Sequence, residues 1–280
     1  DWSFTPALKR KWLQHLARQR DYSNLIQYGQ GSRETKLKCD VINAQIVTGD
    51  TAHIIPRIQQ IWLHGESLPR NCDAPFKWLQ KQQGISDALA WQRIELALNN
   101  GNYNLSRYLK RFLAPANKTW LDRWIQLARQ PKSWLRKSLK WQDSEKARFI
   151  VTWAMLKLAT KEVDDAADLW PKVQARFQFK AKQIDEVERK IALFRAVRLN
   201  TDAIPRIDAL ALNTDDEQLQ AWRTRVALAQ ERWPEVINSI HAMSPAQAQT
   251  ERWQYWYARG LEAQGLNGAQ AVSYTHLTLP

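Results

Sequence analysis

Apolar residues recur at helical spacing along the chain. Five times a helix-like run ends in a small polar turn and resumes with an apolar, usually aromatic, residue. The five junctions are Leu16-Ala17 to Tyr22, Leu98 to Tyr103, Leu127-Ala128 to Trp134, Leu158-Ala159 to Val163, and Leu228-Ala229 to Trp233. From Leu98 the marker leucines follow at intervals of 29, 31 and 70 residues, the last reading as two repeats of about 34, the size of a helix-turn-helix unit. A hairpin of that size cannot bury its apolar face alone, so neighbours must stack. The pattern predicts an all-α chain: a right-handed superhelical α-solenoid of seven or eight stacked hairpins.

The segments follow from local signals. Pro6 opens a helix through Leu16, and Asp21-Tyr22 begins its return, which ends at Gly29 to Ser32. Residues 35–47 and 52–63 form the next pair around Thr48-Gly49-Asp50, a stop followed by a start. Residues 65–73 read as a loop, and helix resumes at 76–81 and 87–98. Short helices broken at Pro115 and Pro131 are expected after that. Longer ones follow at about 145–160, 164–176, 184–199, 216–230 and 234–243, and a last hairpin begins at Ala246. The tail Val272-Ser273-Tyr274-Thr275-His276-Leu277-Thr278-Leu279-Pro280 is poor helix material. The expectation is one domain over 1–271 and a non-native stretch over 272–280.

Composition agrees with the pattern. Nine glycines and eleven prolines interrupt a sequence rich in helix formers. No run of 18 apolar residues is present, so no membrane-spanning helix is expected. The net charge of +13 is uneven: residues 101–160 carry 13 Lys and Arg against three acids, a balance of +10, together with five of the fifteen tryptophans. Cations interleaved with aromatics suit an anionic polymer with stacking faces, whether glycan or single-stranded nucleic acid. The alternative is structural, because tryptophans at helical spacing, such as Trp120 and Trp124, pack between helices, and helical Lys and Arg form solvated faces.

Site chemistry is sparse. The five histidines, His15, His53, His64, His241 and His276, form no HExxH or HxxxH pair, so no metal or other cofactor is expected. Gly29-x-Gly31 lacks the rest of a dinucleotide fingerprint. Cys39 and Cys72, 33 positions apart, read either as a disulfide of an oxidising compartment or as two free buried thiols.

Several stretches carry a resemblance to a known family. These are Leu16-Ala17-Arg18-Gln19-Arg20-Asp21-Tyr22, the helical Cys39, the segment from Ile61-Trp62-Leu63-His64-Gly65-Glu66 to Asn71-Cys72-Asp73, Arg93 to Asn102, and Glu251-Arg252-Trp253-Gln254-Tyr255-Trp256-Tyr257-Ala258-Arg259. In order and spacing the chain resembles the N-terminal superhelical domain of the soluble lytic murein transglycosylases. Between about residues 104 and 240 the likeness lies in hairpin rhythm more than in residues.

The resemblance implies a U-shaped, ring-forming domain, a monomer in the periplasm, and a Cys39–Cys72 disulfide. Any export signal would lie upstream or have been removed. It also implies that linker and lysozyme-like catalytic domains complete the protein. The family cleaves the β-1,4 bond between N-acetylmuramic acid and N-acetylglucosamine without water, leaving a 1,6-anhydro end. One glutamic acid acts there as acid and then base. Its Glu-Ser-Ala and Gly-Leu-Met-Gln motifs are absent here, and Glu66-Ser67-Leu68 stands at a non-catalytic position. No catalytic residue is therefore expected in this chain. The implied partner is peptidoglycan and not nucleic acid, with Arg107, Lys110, Arg111, Arg123, Arg136, Lys137 and Lys140 as candidate contacts. The competing readings are a tetratricopeptide-like protein-interaction scaffold and, after it, a single-stranded nucleic-acid binder.

Overall fold

The structure is a computed structural model that describes residues 5–212 and 216–266. The described residues are helices and turns with no strand, as the apolar periodicity predicts. The 272–280 tail lies outside the described residues. The chain divides into two compact units, 1–125 and 126–280.

The first unit contains α1 (Pro6–Gln19), α2 (Tyr22–Gly29), α3 (Thr35–Thr48), α4 (Ile54–Trp62), α5 (Asp73–Lys81), α6 (Asp87–Asn99) and α7 (Tyr103–Leu109). It also holds most of α8 (Pro115–Arg129) and two 3-10 turns, Arg70–Cys72 and Lys110–Phe112. Helix α3 is its axle and has no free apolar stripe, because it is covered on more than one side. Leu37, Val41 and Ala44 pack with Leu13, Leu16 and Leu25 of α1 and α2. Ile42 packs with Ile54, Ile58 and Leu79 of α4 and α5.

The second unit continues with α9 (Pro131–Ser138), α10 (Glu145–Lys161), α11 (Val163–Arg176), α12 (Ala181–Val197) and α13 (Ala203–Asp208). It ends with α14 (Glu217–Ala229), α15 (Trp233–His241), the short α16 (Pro245–Ala248) and α17 (Glu251–Ala263). Helix α10 packs on α9, α11 and α12, α12 on α13 and α14, and α15 on α14 and α17. This nearest-neighbour order is the mark of stacked hairpins. Ala147, Ala154 and Ala159 of α10 are fully buried, which lets its neighbours approach closely.

Six of the helix ends share one geometry. Arg20, Gln83, Gly101, Leu199, Glu231 and Gly265 each adopt a left-handed backbone, with φ between 53° and 71°. In each case the next residue donates its N–H to the carbonyl five positions back: Asp21 to Leu16, Gly84 to Leu79, Asn102 to Ala97, Asn200 to Arg195, Arg232 to Ala227 and Leu266 to Leu261. This is the Schellman closure, which satisfies otherwise orphaned carbonyls. Asp21 and Asn102 then cap the next helix, accepting from the N–H groups of Asn24 at 3.2 Å and Leu105 at 3.0 Å. Four of the five junctions seen in the sequence restart at the named apolar residue: Tyr22, Tyr103, Val163 and Trp233 each open a helix. The fifth differs because Pro131 starts α9 three residues before Trp134.

Prolines mark several further helix starts. The expected interruptions at Pro115 and Pro131 are present, each proline standing at the first position of the helix that follows, α8 and α9, since the first turn leaves its missing N–H unneeded. Pro75 likewise lies in the first turn of α5, which starts at Asp73 and not at 76. Helix α13, with Pro205 in its first turn, was not expected from the sequence.

Candidate functional site

The candidate basic residues fall into two sets, one in each unit. In the first unit Arg107, Lys110 and Arg111 follow one another through the end of α7 into the 3-10 turn, and Arg123 lies on α8. Arg107 donates to Asn104 Oδ1 at 3.0 Å. Lys110 is paired with Asp122 at 2.6 Å, so much of its charge is already answered. Arg111 stands 4.9 Å over the ring of Tyr108, itself 54% exposed, and Arg123 stands 4.5 Å over Trp120.

In the second unit Arg136, Lys137 and Lys140 are exposed, and Lys137 Nζ sits 4.3 Å over Trp134. These stacks place cation and aromatic three residues apart on a helix, where side chains are neighbours. Each is worth about 0.5–1 kcal/mol at an exposed site, and it presents a ring beside a positive charge. Other tryptophans of the window, Trp124 and Trp141, are buried core. Trp124 and Trp141 thus follow the structural reading of the aromatics, while Tyr108, Trp120 and Trp134 lie beneath cations.

A second cluster surrounds the cysteines. Cys39 on α3 and Cys72 in the 3-10 turn are joined in a disulfide, and both are fully buried. The residues between α4 and that turn are fixed at further points. Arg93 of α6 donates from Nε to the His64 carbonyl at 3.2 Å. A Cβ at Gly65 would lie 2.6 Å from the Leu96 carbonyl oxygen, so only glycine fits there. Asn71 Nδ2 donates to Asp40 Oδ1 at 2.5 Å, while burial pushes the Asp40 carboxyl above its ordinary range. Glu66 is exposed on this loop, its N–H donating to His64 Nδ1.

Arg93 was missed as a key residue by sequence reasoning, although it falls within the Arg93–Asn102 segment. It is 4% exposed and lies 4.6 Å over Trp62 and 5.7 Å from the Phe76 ring centre. Desolvation pulls its guanidinium down to about 10. The available signal was a charge in register with Ala90, Ile94 and Ala97 on the apolar side of α6. Among the described residues, no group of three or more His, Cys, Asp or Glu could hold a metal ion.

The chain is 26% identical over 269 residues to the soluble lytic murein transglycosylase of Escherichia coli strain K12, a match covering 92% of this chain and 41% of that protein. It is 26% identical over 276 residues to the enzyme of the same name from Salmonella typhimurium, covering 96% and 42%. Its fold matches an inactive mutant of the lytic transglycosylase Slt from Pseudomonas aeruginosa with a TM-score of 0.78, at 25% identity, over 95% of this chain and 44% of that one.

The chain is similar in sequence and fold to the soluble lytic murein transglycosylases.

The 70 kDa soluble lytic transglycosylase of Escherichia coli has the same fold, with a TM-score of 0.75 at 22% identity over 92% of this chain and 42% of that one. A 70 kDa soluble lytic transglycosylase solved in complex with bulgecin A matches with a TM-score of 0.77. The chain thus spans about two fifths of the length of the curated transglycosylases it matches. One family model, described as Cucumovirus coat protein, matches residues 34–130. That match covers about a third of the chain, whereas the transglycosylase similarity covers more than nine tenths of it and extends to the fold. No helix among the described residues is long and apolar enough to cross a membrane.

Proposed function

We propose that this chain is the helical scaffold of a periplasmic lytic transglycosylase that acts in cell-wall turnover. It holds peptidoglycan near a catalytic domain and performs no bond cleavage itself. In this reading the complete protein breaks the N-acetylmuramic acid to N-acetylglucosamine bond and leaves a 1,6-anhydro end. The observation that carries the reading is the transglycosylase similarity over more than nine tenths of the chain, joined to the fold match. The buried Cys39–Cys72 disulfide supports an oxidising compartment over a cytoplasmic interaction scaffold.

Peptidoglycan offers carboxylates on its peptide stems and lactyl groups, together with sugar faces that stack on aromatic rings. Arg111 on Tyr108, Arg123 on Trp120 and Lys137 on Trp134 offer the complementary charge and ring surface. Arg107, Arg136 and Lys140 add long-range attraction, and Lys110 contributes less because Asp122 neutralises it. Glu66 takes no catalytic role.

Co-sedimentation with purified sacculi over a salt series tests the reading. Binding should weaken steeply with salt, and a triple variant R111A/R123A/K137A should lose most of it. Salt-insensitive or absent binding would refute the electrostatic contact. Release of 1,6-anhydro-muropeptides by the chain alone would refute the non-catalytic role. Tighter binding to single-stranded oligonucleotides than to sacculi would favour the nucleic-acid alternative.

A further inference from the structure

The first unit carries a half-open pocket of about 390 Å³ between the end of α2, the first half of α3, α4 and the chain that follows α4. This volume falls within the range of small-molecule sites, roughly 300–1,000 Å³. Its lining divides by chemistry. Lys38, Arg57 and His64 bring positive or proton-donating groups from three different segments, and Ser32, Thr35 and Gln60 add neutral hydrogen-bonding groups. Val41, Ile42, Ile61, Leu63 and Leu68 supply an apolar wall. No aspartate or glutamate lines it.

The cations are held ready but not neutralised. Among the described residues neither Lys38 nor Arg57 forms an ion pair. Arg57 donates one Nη1–H to Gln45 Oε1 at 2.8 Å, and buried Gln45 donates to Asp50 Oδ2 at 2.9 Å. A neutral amide therefore fixes one part of the guanidinium and leaves its other donors for a ligand. His64 Nδ1 accepts the Glu66 N–H at 3.2 Å, so a neutral His64 carries its proton on Nε2 as a further donor.

The cavity wall is also built before any ligand arrives. The segment bearing His64 and Leu68 is fastened at one end by the Arg93 bond to the His64 carbonyl and at the other by the Cys39–Cys72 bridge, next to Lys38. Such preorganisation lowers the ordering cost of binding. Two unpaired cations beside an aliphatic wall, in a cavity without acids, select against cations and against purely apolar guests.

We propose that this cavity is a binding site for a small amphiphilic organic anion, with a carboxylate or phosphate head against Lys38, Arg57 and His64 and a short apolar body against Ile42, Ile61, Leu63 and Leu68. The site shares no residue with the cation and aromatic stacks on α7 to α9 and does not depend on the peptidoglycan reading.

Titration calorimetry and amide NMR of the whole chain test it with four probes. Hexyl phosphate and hexanoate present head and body together and distinguish the two head groups. Inorganic phosphate presents a head alone, and hexylammonium reverses the charge. At least one of the two amphiphilic anions should bind saturably, with shifts confined to residues 29–42 and 57–68. Inorganic phosphate should bind more weakly, and hexylammonium should not bind. Lys38→Ala and Arg57→Ala should each weaken binding about tenfold; exposed Lys38→Ala should leave thermal unfolding unchanged, whereas Arg57→Ala also takes a donor from buried Gln45 and should lower the unfolding temperature slightly. The proposal is overturned if neither anion binds in the millimolar range, if hexylammonium binds equally well, or if the double variant K38A/R57A keeps the native affinity.

Discussion

Replacing both Cys39 and Cys72 with alanine removes the cross-link while leaving small apolar side chains in two fully buried positions. Its closure spans a sequence separation of 33. In the chain-entropy treatment the bridge lowers the entropy of the unfolded ensemble by about 12.5 cal/mol/K, or about 3.7 kcal/mol at 25 °C. Loss of the sulfur atoms from a packed interior adds a smaller cavity cost. Against the 5–15 kcal/mol that holds a typical domain folded, this is a large fraction. For a unit of 125 residues it corresponds to a fall in melting temperature of about 14 °C.

The effect should be confined to the first unit. A single global transition would misreport a chain with two compact units, so the assay is hydrogen exchange resolved by peptide. Amides of α3 to α5 should lose about 3.7 kcal/mol of opening free energy, while those of α10 to α12 keep theirs. An equal loss in both units, or a loss under about 1 kcal/mol in α3 to α5, would refute the reasoning.

Two further outcomes follow from single side chains. Burial raises the Asp40 carboxyl in the folded state above its reference of 3.8. Protonation therefore favours the fold, and stability drains away as pH climbs from about 3.8 through the folded value. Asp40→Asn should accordingly raise the urea midpoint at pH 7, with the advantage shrinking towards pH 3.5; equal midpoints at both pH values would contradict this. Gln83 and Glu231 are exposed residues held at φ 53° and 54°. The left-handed region costs a side-chain-bearing residue about 1–2 kcal/mol, and glycine gives back part of that in unfolded-state entropy. Gln83→Gly and Glu231→Gly should each stabilise by about 0.5–1 kcal/mol, measured by denaturant unfolding, whereas alanine at the same sites should be neutral.

Much of the fold was legible because its signals are local. Leu16, Leu98, Leu127 and Leu158 are buried just before a turn, and an apolar residue restarts the chain after it, so burial and turn chemistry coincide in sequence. The Schellman closures were less visible, since Arg20, Gln83, Leu199 and Glu231 occupy left-handed positions where glycine would have announced them. The division between units falls inside α8, at 125/126, where no proline, glycine or change of composition marks it.

The candidate site was legible only as composition. The excess of cations over 101–160 gave no sign that Asp122 would neutralise Lys110 or that Arg111, Arg123 and Lys137 would lie on rings. The anion cavity was not legible at all. Ser32, Lys38, Arg57 and His64 converge only through the packing of α3 on α4 and the loop beyond it.

The disulfide has a mechanical side as well. A chain pulled from its two ends transmits force from α3 to α5 through the Cys39–Cys72 bond, and the residues between carry no tension. With the separation of 33, the bridge withholds about 110 Å of contour length from extension. All of α4 and the Arg93 clamp on His64 lie inside that shielded stretch or against it. Strain imposed on the ends of the protein therefore bypasses this part of the first unit until the sulfur–sulfur bond itself is reduced.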